Sequence, residues 1–271
     1  MAVYAAFIDR AERILSNSRL VVKFCVLLRN RLLRIIAYSL VKSHRVEASG
    51  ELLLVQKLSH LLRTVIDVGA NKGEWSEMVL AQPSSNIKKL MLIEPGKGVF
   101  TIVERKFGKD ERCTLFNMGL SDHDGMLAFN EKKGASPTSS FSATLGQDTL
   151  ATLTPVRKLD SLLKETNFGY VDFLKIDCEG FDFKVISGAY EHIKARQVGI
   201  VQFEYNCMWI KAGSTLKAAF DLLLSCNYEV YLLNHKGLSR FDVDFYQEFF
   251  NYSNFVAVSP EWKESVRDVI S

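Results

Sequence analysis

Several broad classes are excluded by what this sequence has little of. Five prolines and 16 glycines in 271 residues are too few for a fibrous or low-complexity chain. The five cysteines, at 25, 113, 178, 207 and 226, form no C-x-x-C pair and are odd in number. A disulfide framework or zinc knuckle is not read, and buried free thiols in a reducing compartment are expected. Met1 to Ile8 lack a basic n-region and run into Asp9 and Arg10, so no secretory signal is read. No apolar run reaches the ~20 residues of a bilayer span. Leu20–Leu28 is interrupted by Lys23, and Ile35–Val41 is shorter still. A cytoplasmic location follows as the default expectation. The net charge of +3 supplies no excess that would point to nucleic acid, and no nucleic-acid partner is expected.

What is present describes a globular chain. Hydrophobic residues make up 48%, with 18 Phe, 9 Tyr and 3 Trp, enough for a sizeable core. The charge is unevenly placed: residues 1–45 hold nine Lys/Arg against Asp9 and Glu12, a balance of +7 that leaves −4 for the rest. Within residues 3–42, apolar residues recur at helical spacing (Val21, Val22, Cys25, Leu28, Leu32, Ile35), with Arg and Lys between them, which predicts one or two helices. Such a basic amphipathic segment docks on the body or a second subunit, or lies on an anionic membrane. Two regions are therefore read: a basic helical extension over 1–50 and a larger domain over 51–271.

Beyond residue 50 the pattern becomes strand, helix, strand, helix. Thr64–Val68, Lys89–Ile93, Cys113–Met118, Val171–Ile176 and Gly199–Tyr205 read as strands, and Tyr228–Leu233 and Phe255–Val258 as later ones. Glu74–Leu80, Val99–Phe107, Leu159–Leu163, Phe181–Ala189 and Thr215–Ser225 read as helices. This alternation implies a parallel sheet covered on both faces, with ligands at the carboxyl ends of its strands. Residues 126–156 break the rhythm, and Ser136–Ser140 reads as a loop.

Four motifs sit at those strand ends. In Val65–Gly73, Gly69 permits a tight turn, Asp67 can accept hydrogen bonds from the loop or an ammonium, and Asn71 both donates and accepts. The helix starting near Gly73 offers unpaired N–H groups to an anion. Glu94, 21 residues after Gly73 at the tip of the second strand, stands where a ribose is gripped through its hydroxyls. A dinucleotide loop wants glycine where Asn71 stands, so this loop suits an amino-acid carboxylate better than a pyrophosphate. Asp177 and Glu179 follow the fourth strand, and Glu204 ends the fifth. Each carboxylate can take a proton or ligate a cation, and Asp177 and Glu179 can equally cap the next helix. The five histidines have no metal-like spacing, and His123 in the 121–125 turn reads as a solvated loop residue before a catalytic one.

VIDVGANKGEWS (65–76), LIEP (92–95), FNMGLSDHDG (116–125), VDFLKIDCEGFDFKVISGA (171–189) and VQFEYN (201–206) together resemble the FkbM family of S-adenosylmethionine-dependent methyltransferases. The resemblance spans roughly residues 60–260 and leaves the basic head outside it. It implies an α/β class I methyltransferase fold, Rossmann-like, with a mostly parallel seven-stranded sheet and one antiparallel strand near the edge. It also implies O-methylation of a hydroxyl on a sugar, glycan, lipid-linked saccharide or natural product. By motif, Asp67, Gly69, Asn71 and Gly73 would line the methionine part of the cofactor and Glu94 the ribose. Met118 and Gly119 would border the adenine, and Asp177 would lie near the ammonium or the acceptor. Asp177, Glu179 and Glu204 are the candidates for the base. Asp177 and Glu204 are the candidate ligands if Mg²⁺ takes part. A nicotinamide-dependent oxidoreductase and an inactive methyltransferase-like interaction protein are the rival readings.

Overall fold

The computed structural model describes residues 10, 12–40, 49–132, 140–141 and 149–271. The chain divides into two compact units, residues 1–41 and 42–271. In the first, residues 12–16 are helical and a turn at 17–18 leads into α1 (Arg19–Leu40). The Ser18 hydroxyl accepts the Val21 N–H at 3.4 Å as this helix begins. The expected helices over 3–42 are found across 12–40; residues 3–9, 11 and 41–42 lie outside the described residues.

The second unit holds, in chain order, the strands β1 (Thr64–Val68), β2 (Lys89–Ile93), β3 (Cys113–Phe116), β4 (Gly119–Leu120), β5 (Gly125–Lys132) and β6 (Ser140–Phe141). They are followed by β7 (Thr149–Arg157), β8 (Val171–Ile176), β9 (Val198–Tyr205), β10 (Glu229–Asn234), β11 (Gly237–Arg240) and β12 (Ser253–Val258). The main sheet has the order β11-β10-β12-β9-β8-β1-β2-β3. β1, β2, β3, β8 and β9 pair in parallel, while β12 runs antiparallel between β9 and β10. The strands at its centre are buried on both faces, as a parallel sheet under helices requires.

The sheet has eight strands where seven are expected. The additional β11 folds back on β10 as an antiparallel hairpin at the edge. Asn234 Oδ1 accepts the Lys236 N–H at 2.8 Å in its turn, and Gly237 takes φ +116°. Residues 126–156 hold a second departure from simple alternation. They do break the strand–helix alternation, but as strands in the described part: β5 and β7 pair antiparallel from Gly125↔Val156 to Lys132↔Thr149, within a small second sheet of order β4-β7-β5-β6. Ser140, read as loop, begins β6, and Ser136–Ser139 lie outside the described residues.

Helices α2 (Glu51–Leu58), α3 (Glu74–Leu80) and α4 (Lys97–Phe107) bury Leu54, Leu58, Val79, Val103 and Phe107 in one apolar core with Val65, Leu90, Leu92, Phe173 and Ile200 of the sheet. At ~25 cal/mol per Å² of buried apolar surface, such side chains contribute roughly 1.5–3 kcal/mol each. Of the five free cysteines, Cys226 is buried, Cys113 and Cys178 are half-buried, and Cys25 and Cys207 are exposed, so the expectation of buried thiols fails for two. Among the described residues, no helix is long and apolar enough to cross a membrane.

Candidate active site

Strand register builds the site in three rows on one side of the sheet. Alternate residues of a strand share a face. Val65, Phe173 and Ile200 are aligned across β1, β8 and β9 and belong to the apolar core. Two residues further on, Asp67, Lys175 and Gln202 form a second aligned row, all buried yet polar. The next step along the same face reaches Gly69, Asp177 and Glu204 at the strand ends. Apolar packing thus gives way to charge where the strands stop.

The first loop is shaped by backbone contacts. Gly69 (φ +76°), Asn71 (φ +49°) and Gly73 (φ +75°) all lie in the left-handed region. A Cβ on Gly69 would stand 1.9 Å from the Asp177 carbonyl oxygen, and one on Gly73 would meet the Phe107 ring at 2.3 Å. Gly69 therefore admits the neighbouring strand end as well as the turn. Glu94 is buried at the end of β2, where it accepts the Asn71 N–H at 2.9 Å and the Gly96 N–H at 2.8 Å. Asn117 donates to the carbonyls of Glu94 (2.9 Å) and Pro95 (3.1 Å), tying the third strand end to the second.

A cavity of about 270 Å³ opens between this loop and β8. Glu51, Asp67, Asn71, Trp75, Lys175 and Asp177 line it, with Gly69, Lys72 and Glu74 among its other walls. Lys175 Nζ donates to Asp177 Oδ2 at 2.9 Å, lies 4.0 Å from Asp67 Oδ1 and sits 5.7 Å from the centre of the Trp75 ring. Burial pulls its ammonium toward deprotonation, but the charges of Asp177, Asp67 and Glu51 outweigh it and hold Lys175 above its ordinary range. Lys175 stays cationic. Burial raises the Asp67 carboxyl, against the opposing pull of Lys175 and of the Ser76 hydroxyl, which donates to Oδ2 at 2.7 Å. Glu51 is fixed from below by Gln202, whose Nε2 donates to Oε1 at 2.6 Å.

Three buried polar atoms of the lining, Asp67 Oδ1, Asn71 Oδ1 and Trp75 Nε1, have no hydrogen-bond partner among the described residues. Lys175 makes one hydrogen bond there out of a capacity of three. Unsatisfied buried groups cost about 1–3 kcal/mol each, so a cluster of them in one cavity marks a place built for a polar ligand.

Behind Asp177 lies a second group of acids. Asp182 is fully buried and accepts the N–H groups of Cys178 (3.4 Å), Gly180 (3.2 Å) and Glu204 (3.2 Å), which fastens the 177–180 turn to the end of β9. Burial and the Asp177 charge push its carboxyl up to about 8. Glu204 is buried too and accepts from Asn206 Nδ2. Burial first, then the charges of Asp177, Asp182 and Glu179, hold it well above the carboxylate range. The folded state therefore keeps a proton on Asp182 that the unfolded chain releases above its ordinary value of 3.8. Stability falls as pH rises from about 4 to about 8. Asp182→Asn is expected to flatten this decline by a few kcal/mol across that window. Urea midpoints at a series of pH values check it, and an unchanged slope would place the proton elsewhere.

The expected residues divide by position. Asp67, Gly69, Asn71 and Asp177 come together at the cavity. Glu94 clamps the loop from outside the lining, and Gly73 packs on Phe107. Met118 is half-buried after β3, and Gly119 opens β4 opposite Val156; neither lines the cavity. Glu179 occupies a left-handed turn position (φ +49°), and Glu204 sits with Asp182. The N-cap position of the following helix is held by Phe181, which makes no side-chain cap bond, and not by Asp177 or Glu179. His123 pairs with Asp122 at 2.8 Å and is exposed. Among the described residues, no three His, Cys, Asp or Glu are grouped to hold a metal, and Asp177 and Glu204 belong to no such set. Lys175, Glu51, Trp75, Ser76 and Asp182 were not among the expected residues.

Read from β3, the sheet order places a reversed strand, β12, between the fifth parallel strand and β10, with the ligand cavity at the ends of β1 and β8. This is the class I methyltransferase fold. A family model for the methyltransferase FkbM domain matches residues 67–230, and the chain belongs to the FkbM methyltransferase family. A crystal structure of methyltransferase FkbM from Methylobacillus flagellatus KT is similar at 12% identity, over 86% of this chain and 60% of that one, with a TM-score of 0.45. This chain therefore spans about three-fifths of that protein's length. An O-methyltransferase from Bacillus cereus in complex with SAH is similar at 11% identity, over 85% and 90% of the two chains, with a TM-score of 0.39. Fibrillarin from Aeropyrum pernix with natively bound S-adenosyl-L-methionine is similar at 11% identity over 76% and 74%, also at 0.39. No curated protein sequence matches the chain.

Proposed function

We propose that the protein is an S-adenosylmethionine-dependent O-methyltransferase acting on a hydroxyl of a saccharide, lipid-linked saccharide or natural product. The observation that carries this reading is the charged cavity with its unpartnered atoms. An aminoacyl sulfonium has two positive centres and one carboxylate. Asp67 Oδ1 and Asn71 Oδ1 offer acceptors to the positive part. The unused N–H groups of Lys175 and the Trp75 indole N–H offer donors to the carboxylate. The site residues fit the cofactor in kind and in sign. When bound, S-adenosylmethionine supplies a methyl group activated by its own sulfonium.

The protein's part is positioning and proton transfer. Of Asp177, Glu179 and Glu204, only Asp177 lines the cavity, and Lys175 holds its carboxylate in place. Asp177 is assigned the hydroxyl proton of the acceptor. Glu204 and Asp182 buttress the turn that carries it. The five free cysteines support a cytoplasmic setting.

Isothermal titration tests the reading. S-adenosylmethionine is expected to bind the wild type with a Kd near the micromolar range, about −8 kcal/mol. Asp67→Ala and Glu94→Ala are each expected to weaken it by at least about tenfold, through lost contact or a loosened 69–73 loop. Lys175→Met should erase any preference for S-adenosylmethionine over its decarboxylated analogue. A folded wild type that shows no binding would overturn the proposal.

A further inference from the structure

The composition of the first unit is one-sided. The 22 residues of α1 contain Arg19, Lys23, Arg29, Arg31 and Arg34 and no Asp or Glu. At about 100° per residue, Arg19, Lys23, Asn30 and Arg34 follow one line along the helix. Val21, Phe24, Leu28, Leu32 and Ile35 follow the opposite line, and Arg29 and Arg31 flank it on either side. Leu20, Phe24, Leu27, Leu28, Leu32 and Ile35 are exposed, as are Val22, Val26, Leu33 and Ile36 around them, and the helical segment at 12–16 lies against Val21, Val22, Cys25 and Val26.

Two properties decide what covers this face. It is about 33 Å long at 1.5 Å per residue, so a protein partner would need an apolar groove of that length. In the second unit, the exposed Met126 and Leu153 lie on the paired strands β5 and β7, while the exposed Leu61, Ile210, Leu224, Phe245 and Ile270 stand on separate segments. The helix also carries only positive charge, flanking its apolar side with long Arg side chains whose stems can lie along hydrocarbon while the heads reach phosphate. We propose that α1 lies in the plane of an anionic membrane surface, with Phe24, Leu28 and Leu32 toward the acyl chains and Arg19, Lys23 and Arg34 toward the headgroups. This does not rest on the methyl-transfer reading.

The test is co-sedimentation of the full chain with phosphatidylcholine vesicles, with and without phosphatidylglycerol. The chain is expected to pellet with the anionic vesicles at low salt and to be released at high salt, where charges are screened. The double variant K23E/R34E is expected to lower partitioning roughly tenfold or more, since each reversal replaces attraction with repulsion. F24S/L28S should lose binding even at low salt. A circular-dichroism melt shows that the variants remain folded. Absence of pelleting, equal pelleting with neutral vesicles, or indifference to K23E/R34E would each overturn the proposal. So would dimerisation in solution, seen by light scattering and abolished by F24S/L28S without any pelleting, which would assign the face to a second copy.

Discussion

Replacing Asp177 with Asn is expected to lower the rate of methyl transfer by about 10²–10⁴, while the affinity for S-adenosylmethionine changes by less than about tenfold. The amide keeps the shape of the side chain and can still accept from Lys175, 2.9 Å away, so the cavity wall survives. What is lost is the proton acceptor. Glu204 is a poor substitute: it is buried beside Asp182 and is not part of the lining. The measurement uses a tritiated methyl donor with an extract of the source cells as acceptor pool, and titration of the cofactor in parallel. An Asn variant that transfers methyl groups at the wild-type rate would remove Asp177 from the chemistry. One that loses cofactor affinity in proportion would make it a binding residue.

Gly69→Ala is expected to be the most damaging single-methyl change in the domain. A left-handed backbone costs a non-glycine residue roughly 1–2 kcal/mol, and that is the smaller part. The new Cβ would stand 1.9 Å from the Asp177 carbonyl oxygen, so the ends of β1 and β8 must part. The bond from the Asp177 N–H to the Val68 carbonyl, 2.9 Å long, lies at that junction. Gly169→Ala is the matched control. It has φ +88°, and nothing stands within 4 Å of its Cβ, so only the roughly 1–2 kcal/mol of backbone strain applies. Thermal melts should show a small shift for Gly169→Ala, and a collapsed transition or loss of cofactor binding for Gly69→Ala. Equal shifts would mean that the two strand ends can separate at little cost.

The strands of the main sheet were legible because β-branched and aliphatic runs such as Thr64–Val68 and Val171–Ile176 are bounded by turn residues. The acids at their ends were legible as candidates for the same reason. Lys175 was not. A lysine inside an apolar run reads as an edge or solvent residue, and its meaning depends on Asp67 lying opposite it on β1, a long-range register. The period of two did contain a signal: Phe173, Lys175 and Asp177 share a face, as do Ile200, Gln202 and Glu204. Glu51 arrives from a helix at the start of the unit, a proximity that no local pattern encodes. The β5–β7 pair was hidden by its composition. Pro155 sits within β7 opposite Met126, and proline argues against a strand unless its missing N–H faces an unpaired edge. The partner β4 reaches only Val156 and Arg157, so Pro155 lies beyond that pairing.

The reversed strand β12 has a consequence for the order of assembly. It is the last of the described strands, yet it lies inside the sheet, paired with β9 from Ser253↔Tyr205 to Val258↔Ile200 and with β10 on its other side. During synthesis β9 emerges with one edge open, and β10 and β11 form a hairpin with nowhere to dock until residues 253–258 leave the ribosome. Pairing that joins distant parts of a chain is slow, and an open edge is a template for the wrong neighbour. The acids at the end of β9 thus reach their final surroundings late, and a nascent chain halted before β12 would expose the edge next to its own candidate site.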